Sequence, residues 1–269
     1  MVIGRWWQEL RTRREQAAVA RRAIPDDLWK RTLVRYPFLR RGDVADAAGL
    51  RRLTSLFLDR KEFSAAGGLK LSDAMVVAIA AQAVLPVLRL GLARYDGFVG
   101  IVVHAGQVVA RREVADDDGI VHQYDEVLAG EAMEGGPVML SWQDVRGAGR
   151  SAAIGYNVVI HEFAHVLDMA DGLADGVPLL PPEIAPDAWR RLLLQEYETF
   201  AHRVEREQET VLDPYGAQGE DEFFAVASEA FFVHPQAMQR EHPDLYGMFT
   251  RYYRQDPAAE TAWRRGRGS

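Results

Sequence analysis

The pentapeptide His161-Glu162-Phe163-Ala164-His165 constrains the fold more than any other feature of the sequence. On an α-helix, positions i and i+4 lie on one face, so both imidazoles can meet one metal ion while Glu162 lies about 100° around the axis. This spacing is typical of a hydrolytic zinc site, in which the glutamate is the general base for a water molecule. The flanking segments 158–160 and 166–167 are apolar and predict a buried helix. Two buried histidines without a shared partner are costly, so the pattern favours a metal.

The composition restricts which side chains can bind that metal. The chain has 269 residues and no cysteine, which excludes disulfide scaffolds, cysteine-ligated zinc, iron–sulfur clusters and cysteine nucleophiles. A metal must therefore bind the seven histidines and the carboxylates. The formal net charge is −7, and no nucleic-acid motif accompanies the arginine-rich beginning, so no nucleic-acid partner is expected.

The residues leave the third metal ligand open. Metzincins place a glycine three residues after the second histidine and a third histidine three residues later, but here those positions are Asp168 and Asp171. Without the glycine that turns the chain, Asp171 is disfavoured. The alternative is a glutamate from a later helix, and the helix predicted over 220–232 offers Glu222 and Glu229. They are seven residues apart and share a face, so periodicity does not choose between them.

Hydrophobic patterning predicts one α+β unit, mostly helical, with a short β-sheet beside the helix that carries the motif. Helices are expected over 25–36, 44–62, 152–171, 187–207, 220–233 and 244–255. A further helix should begin at Ser72 and run to about Leu92 with a kink near Pro86. Strands are expected over 98–104 and 107–114, joined as a hairpin at Ala105-Gly106, and over 137–142, with an acidic, glycine-containing stretch over 116–136.

The domain organisation predicted from these segments is simple. Residues 1–24 form a basic N-terminal segment that allows mobility, and residues 258–269 form a C-terminal tail. Between them, residues 25–257 form a single domain with a helical part (25–95), a sheet part (96–150) and a second helical part (151–257). The chain shows no secretory signal, and its longest apolar run, 74–88, is too short to span a bilayer. A cytoplasmic protein without membrane contacts is expected.

Two long strings closely resemble one protein family. They are NVVIHEFAHVLD at 157–168 and EFFAVASEAFF at 222–232, with shorter matches at 85–88, 95–98, 119–122 and 256–257. The likeness covers most of 25–257 and identifies the Mlc titration factor A (MtfA) family of bacterial zinc metallopeptidases. That family is similar in its catalytic core to the anthrax lethal factor catalytic domain. The resemblance implies a zincin-like fold and one Zn²⁺ per chain.

The resemblance also implies roles for individual residues. It implies zinc held by His161, His165 and Glu222, because Glu222 opens the matched string, with Glu162 as general base. Tyr215 matches a tyrosine that stabilises the oxyanion of the tetrahedral intermediate.

Three further residues are assigned around this set. The resemblance associates His122 with the metal, which leads to the hypothesis that His122 closes the site at rest and swings away for activity. Asp168 and Glu229 are candidates to hold an imidazole in place by a hydrogen bond.

Two functions are compatible with these residues. The first is a zinc peptidase of gluzincin type that hydrolyses peptide bonds; the resemblance implies short peptides and aminopeptidase action. The alternative is a non-catalytic regulatory protein that binds a transcriptional repressor and uses zinc structurally. Glu162 favours the peptidase, since a structural site needs no carboxylate beside its first histidine.

Overall fold

The computed structural model describes residues 2–40, 42–115, 121–133 and 135–259. Within these ranges the helices are α1 (Val2–Arg21), α2 (Asp26–Arg35), α3 (Val44–Arg60), α4 (Asp73–Ala83), α5 (Trp142–Ser151), α6 (Val158–Asp168), α7 (Pro186–Glu205), α8 (Glu220–Val233), α9 (Pro235–Glu241) and α10 (Pro243–Tyr253). The strands are β1 (Glu62–Ala65), β2 (Gly100–His104), β3 (Val108–Ala115), β4 (Val121–Leu128), β5 (Gly130–Ala132) and β6 (Val138–Ser141). The predicted α+β class, mostly helical with a short sheet, is confirmed. In the described part of the chain, no helix is both long enough and apolar enough to cross a bilayer.

The sheet beside the motif helix has four strands in the order β1-β2-β6-β5. The first three are parallel and β5 is antiparallel to β6, so β5 is an edge strand. Ile101 and Val103 of β2 are fully buried, as are Val138 and Leu140 of β6. Helix α6 packs against β5 and β6, and against α8. The edge of the sheet therefore lies next to the helix that carries the two histidines.

Two of the predicted features are wrong. Strand β2 does not form a hairpin with β3, because its two edges are occupied by the parallel strands β1 and β6, and β3 pairs with β4 in a separate antiparallel ribbon. The stretch 116–136, for which no helix or strand was predicted, contains β4 and β5 in its described part. Helix α4 ends at Ala83 and does not continue through Pro86. Proline lacks a backbone N–H and disfavours helical geometry in the residue before it, which explains the earlier end.

The N-terminal segment is helical over Val2–Arg21. Its second half packs on α3: Ala18 is buried, Arg21 pairs with Asp59 at 3.0 Å, and Arg52 pairs with Glu15 at 2.9 Å. The division of the chain into a domain over 25–257 and two terminal segments stays a prediction.

The middle of the histidine motif is anchored in an aromatic cluster. Phe163 is fully buried, and its ring centroid lies 5.6 Å from that of Phe57, 5.0 Å from that of Tyr95 and 5.7 Å from that of Phe98. These contacts fix the rotation of α6 about its axis, because Phe163 has one pocket to fill. The opposite face, with both histidines, is thereby turned toward α8.

Candidate metal centre

Three side chains from two helices converge on one point. His161 Nε2 lies 3.2 Å from His165 Nε2 and 3.1 Å from Glu222 Oε2, and His165 Nε2 lies 3.4 Å from Glu222 Oε2. The two histidines come from α6, and Glu222 comes from the first turn of α8. Among the described residues, His161, His165 and Glu222 are the only group of three or more histidine or carboxylate side chains with the spacing of a metal site.

The donor set fits a divalent metal of the zinc type. A tetrahedral ion with bonds of about 2.0–2.1 Å holds its ligand atoms roughly 3.3 Å apart, which agrees with the three separations observed here. Glu222 Oε2 is buried and makes no hydrogen bond within the described residues. When each Nε2 carries no proton, three lone-pair atoms face one another, and only a cation satisfies all of them.

Glu229 fixes the orientation of His161. Its Oε1 lies 2.7 Å from His161 Nδ1, and its Oε2 accepts a hydrogen bond from the backbone N–H of Asn157. Asn157 in turn caps α6, because its Oδ1 accepts from Ile160 N at 3.0 Å, and its Nδ2 donates to Gln82 Oε1 at 2.9 Å. A proton on His161 Nδ1 leaves Nε2 free to bind a metal. Glu222 and Glu229, which the residue pattern left as alternatives, thus contact the two different nitrogens of His161.

Glu162 lies about 100° around the axis of α6 from His161, against β5. Its side chain is 4% exposed, and a Cβ built at Gly130 would lie 2.4 Å from Glu162 Oε1. Only glycine leaves room for the carboxylate at this position of the edge strand. Sequence reasoning missed Gly130, because no strand was predicted there. A glycine inside a strand often marks the close approach of another group, and that signal depends on recognising the strand first.

A cavity of about 250 Å³ opens beside these residues. His161, Glu162 and Glu229 line it, together with Tyr215 and Asp213 from the loop before α8. The ring centroid of Tyr215 lies 6.0 Å from that of His161, and Asp213 Oδ1 accepts from Tyr215 N at 3.0 Å. The structure therefore brings the predicted tyrosine to the predicted metal ligands.

Burial and neighbouring charges shift the pKa values of three site residues. Burial opposes ionisation of Glu222, but its contacts with His161 and His165 outweigh burial and lower the pKa of Glu222 to about 2. Burial also acts against a charged His161, yet the contacts with Glu222 and Glu229 hold its pKa above the ordinary value. Burial raises the pKa of Glu162 to about 7, although both histidines act to lower it. The carboxyl group of Glu162 can therefore both accept and donate a proton near neutral pH.

Asp168 lies near the site without a described hydrogen bond to a histidine. Its Oδ2 accepts from the backbone N–H of Gly176 at 3.0 Å, and its Oδ1 has no partner within the described residues. Burial raises its pKa to about 7. Asp171, which the sequence disfavoured as a ligand, accepts from Leu173 N at 3.2 Å and is outside the three-residue cluster.

The assignment of His122 lies outside the described side chains. Its backbone belongs to β4 and pairs with Val114 of β3.

An α+β fold with this histidine helix beside the edge of a short sheet, and with a glutamate from a later helix at the same point, defines the zincin-like class of metallopeptidases. The model of one family within this class matches residues 7–254. The chain belongs to that family, the glucose-regulated metallo-peptidases M90.

Several curated proteins are similar over most of their length. Mlc titration factor A of Pectobacterium atrosepticum is 37% identical over 214 residues, covering 78% of this chain and 79% of that protein. Mlc titration factor A of Serratia proteamaculans is 36% identical over 235 residues, covering 86% and 88%. An uncharacterised protein of Synechocystis sp. is 34% identical over 224 residues, covering 83% and 82%. The resemblance to the Mlc titration factor A family is confirmed.

Proposed function

We propose that this protein is a zinc peptidase of gluzincin type, with one Zn²⁺ per chain held by His161, His165 and Glu222. The observation that carries the proposal is the convergence of the three ligand atoms within 3.4 Å of one another, beside a cavity that His161 and Glu162 line. A zinc ion in this position would act as a Lewis acid on a water molecule and on the peptide carbonyl.

Three side chains would carry out the other steps of peptide hydrolysis: Glu162, Glu229 and Tyr215. Glu162 takes a proton from the attacking water and returns it to the leaving amine, which its pKa near 7 suits. Glu229 holds His161 in the orientation that directs Nε2 into the site. Tyr215 would donate a hydrogen bond from its hydroxyl to the developing oxyanion, since its ring lines the same cavity.

The substrate is proposed to be a short peptide in the cytoplasm, with aminopeptidase action as the preferred form. A cavity of about 250 Å³ accommodates one or two side chains and not a folded domain. Asp213 lines this cavity and offers a carboxylate for the free ammonium group of a peptide. Peptides with and without an N-terminal acetyl group distinguish exopeptidase from endopeptidase action, because acetylation removes that charge.

The Glu162→Gln variant tests the peptidase function. We expect it to keep its zinc and its fold and to lose at least about 10²-fold in kcat against a short peptide, since general-base catalysis contributes on that order. Hydrolysis at the wild-type rate would contradict the proposed mechanism. Exposed Glu198 provides a matched control, because Glu198→Gln makes the same chemical change on α7.

A second function follows from the names of the relatives. Seven of the similar proteins carry the name Mlc titration factor A, which refers to the Mlc repressor. We propose that binding to a transcriptional repressor is a separate activity of this chain. A Glu162→Gln variant that still binds such a partner but no longer hydrolyses peptides would establish both activities.

His122 remains part of the proposal as a residue that closes the resting site. His122→Ala would then raise resting activity or weaken zinc binding. If both quantities stay at their wild-type values, His122 has no such role.

A further inference from the structure

A second cavity adjoins the candidate catalytic cavity. It measures about 540 Å³, and Tyr156 lines both cavities. Its main wall is helix α5, which contributes Asp144, Arg146 and Arg150. The proposed peptidase chemistry uses none of these residues.

The two arginines are exposed and share one face of α5, because they are four residues apart. Within the described residues, neither guanidinium makes an ion pair or a hydrogen bond. Many other arginines among the described residues form ion pairs. For example, Arg51 binds Asp26 at 2.6 Å, and Arg254 binds Glu183 at 2.5 Å. The second cavity therefore contains two cations that are available to a ligand.

The opposite face of α5 is fixed against α2 and the turn that follows it. Arg35 Nη2 donates to the carbonyl of Arg146 at 2.6 Å, and the Tyr36 hydroxyl donates to the carbonyl of Val145 at 3.2 Å. A Cβ at Gly149 would lie 2.1 Å from the carbonyl oxygen of Arg35, so the two segments are in close backbone contact. The arginine face is thereby held toward the cavity on a rigid element, as a binding site requires.

Tyr156 is held equally firmly between the two cavities. Its backbone N–H donates to Ser151 O at 3.2 Å, and Ser151 Oγ donates to its carbonyl at 3.0 Å. Burial raises the pKa of Tyr156, and the carboxylates of Asp144 and Glu229 raise it further. Glu229 lines the first cavity and Asp144 the second, and Tyr156 lines both.

We propose that the second cavity is a subsite for a carboxylate of the peptide substrate, bound by Arg146 and Arg150. The proposal rests on the peptidase function and names a feature of its substrate. Three carboxylates line the cavity beside the metal ligands: Glu162, Asp213 and Glu229. The second cavity, which carries two arginines, therefore has the opposite charge to the first cavity and to the chain, whose net charge is −7. Asp144 opposes the two arginines but leaves one net positive charge on this wall.

The carboxylate has two sources, an acidic side chain or the free C-terminus of a short peptide. A set of fluorescence-quenched hexapeptides separates them. In one arm, each peptide carries a single Glu or, at the same position, Gln. In the other arm, the C-terminus is free or amidated. The measured quantity is kcat/KM for the zinc-loaded wild-type protein and for the Arg146→Gln/Arg150→Gln variant.

With the wild-type protein, we expect kcat/KM to be roughly three- to tenfold higher for at least one Glu peptide than for its Gln counterpart, or for the free C-terminus than for the amide. Charge-assisted hydrogen bonds at a partly exposed site contribute about this much. In the double variant this ratio should fall close to one. The Arg191→Gln/Arg206→Gln variant removes the same two charges outside both cavities and should keep the wild-type ratio.

Two results would overturn the subsite. One is a ratio near one for every peptide pair with the wild-type protein; the other is a preference that survives in the double variant. If no peptide is hydrolysed at all, the peptidase function fails, and the subsite is then tested by dissociation constants. The same peptides, titrated against zinc-loaded Glu162→Gln protein with and without the two arginine substitutions, must show the same loss of preference.

Discussion

Gly130 shows how closely a single backbone position controls the site. A side chain there would overlap the Glu162 carboxylate, since even a Cβ would lie 2.4 Å from Oε1. We expect Gly130→Ala to displace the general base and to lower kcat by about 10²-fold, the typical cost of misplacing a catalytic group by roughly 1 Å. Zinc content should not change, because the three atoms nearest to the added Cβ all belong to Glu162, which is not a metal ligand.

The control for this substitution is Gly247→Ala in α10. A Cβ at Gly247 meets no atom within 4 Å, and the residue lines neither cavity. Its kinetics should match the wild type. A Gly130→Ala enzyme with wild-type kcat would show that Glu162 does not need its observed position.

Lys61 gives a prediction about pH at the same scale. The side chain is 8% exposed, and its Nζ donates to the carbonyls of Tyr95 and Phe98 and lies 3.8 Å from the centre of the Phe98 ring. Burial lowers the pKa of Lys61 from 10.5 to about 8. Between these values the unfolded chain binds more protons at this group than the folded protein does. The contribution of Lys61 to the free energy of unfolding therefore increases as the pH rises from about 8 to about 10.5.

The measurement is urea unfolding of the wild type and of Lys61→Met at pH 7.5, 9 and 10. Subtracting the two free energies removes the titration of all other groups. The difference in favour of the wild type should grow with pH. A difference that shrinks would mean that the folded protein stabilises the charged amine.

At the scale of elements, helix α6 is where sequence and structure agree best. Its apolar flanks and the spacing of His161 and His165 are local features, and local features are readable from a single sequence. The helix is shorter than the predicted 152–171, because Asn157 caps it and it runs over Val158–Asp168. Helices α7, α8 and α10 were predicted for the same reason. The resemblance to a known family implied Glu222 as the ligand, which periodicity alone did not choose over Glu229.

The sheet shows where local reasoning fails. Strands β2 and β3 adjoin in sequence with Ala105-Gly106 between them, which predicts a hairpin, but the partners of β2 are β1 and β6. Parallel pairing joins segments that are distant in the chain and leaves no turn signal between them. Asn157 and Gln82 were missed as supports of the site for a related reason, because their contact joins α4 to α6.

The junction of these elements supports a stability prediction. Asn157→Ala removes the cap of α6 and the hydrogen bond to Gln82, and it should lower the free energy of unfolding by about 2–3 kcal/mol, combining a lost cap with a buried unpaired amide. Asn157→Ser keeps a capping oxygen and should lose less. Urea denaturation of both variants measures the difference. Equal losses would show that the cap contributes nothing.

At the scale of the whole molecule, the site depends on two helices that meet across the core. Helix α8 is buried along most of its length through four phenylalanines that are at most 1% exposed: Phe223, Phe224, Phe231 and Phe232. This packing sets Glu222 against the histidines of α6 and places Glu229 behind them. The metal centre is therefore a consequence of how α6 and α8 pack, with each helix specified by its own apolar face.

The most direct test of the proposed centre is the zinc content per chain of untagged protein, measured by elemental mass spectrometry for the wild type, Glu222→Ala and Glu220→Ala. Glu220 lies in the same first turn of α8 but is exposed and outside the ligand cluster. We expect about one zinc per chain in the wild type and in Glu220→Ala, and a large loss in Glu222→Ala. Full zinc retention in Glu222→Ala, or a wild-type protein that binds no zinc after reconstitution, would contradict the metal centre proposed here.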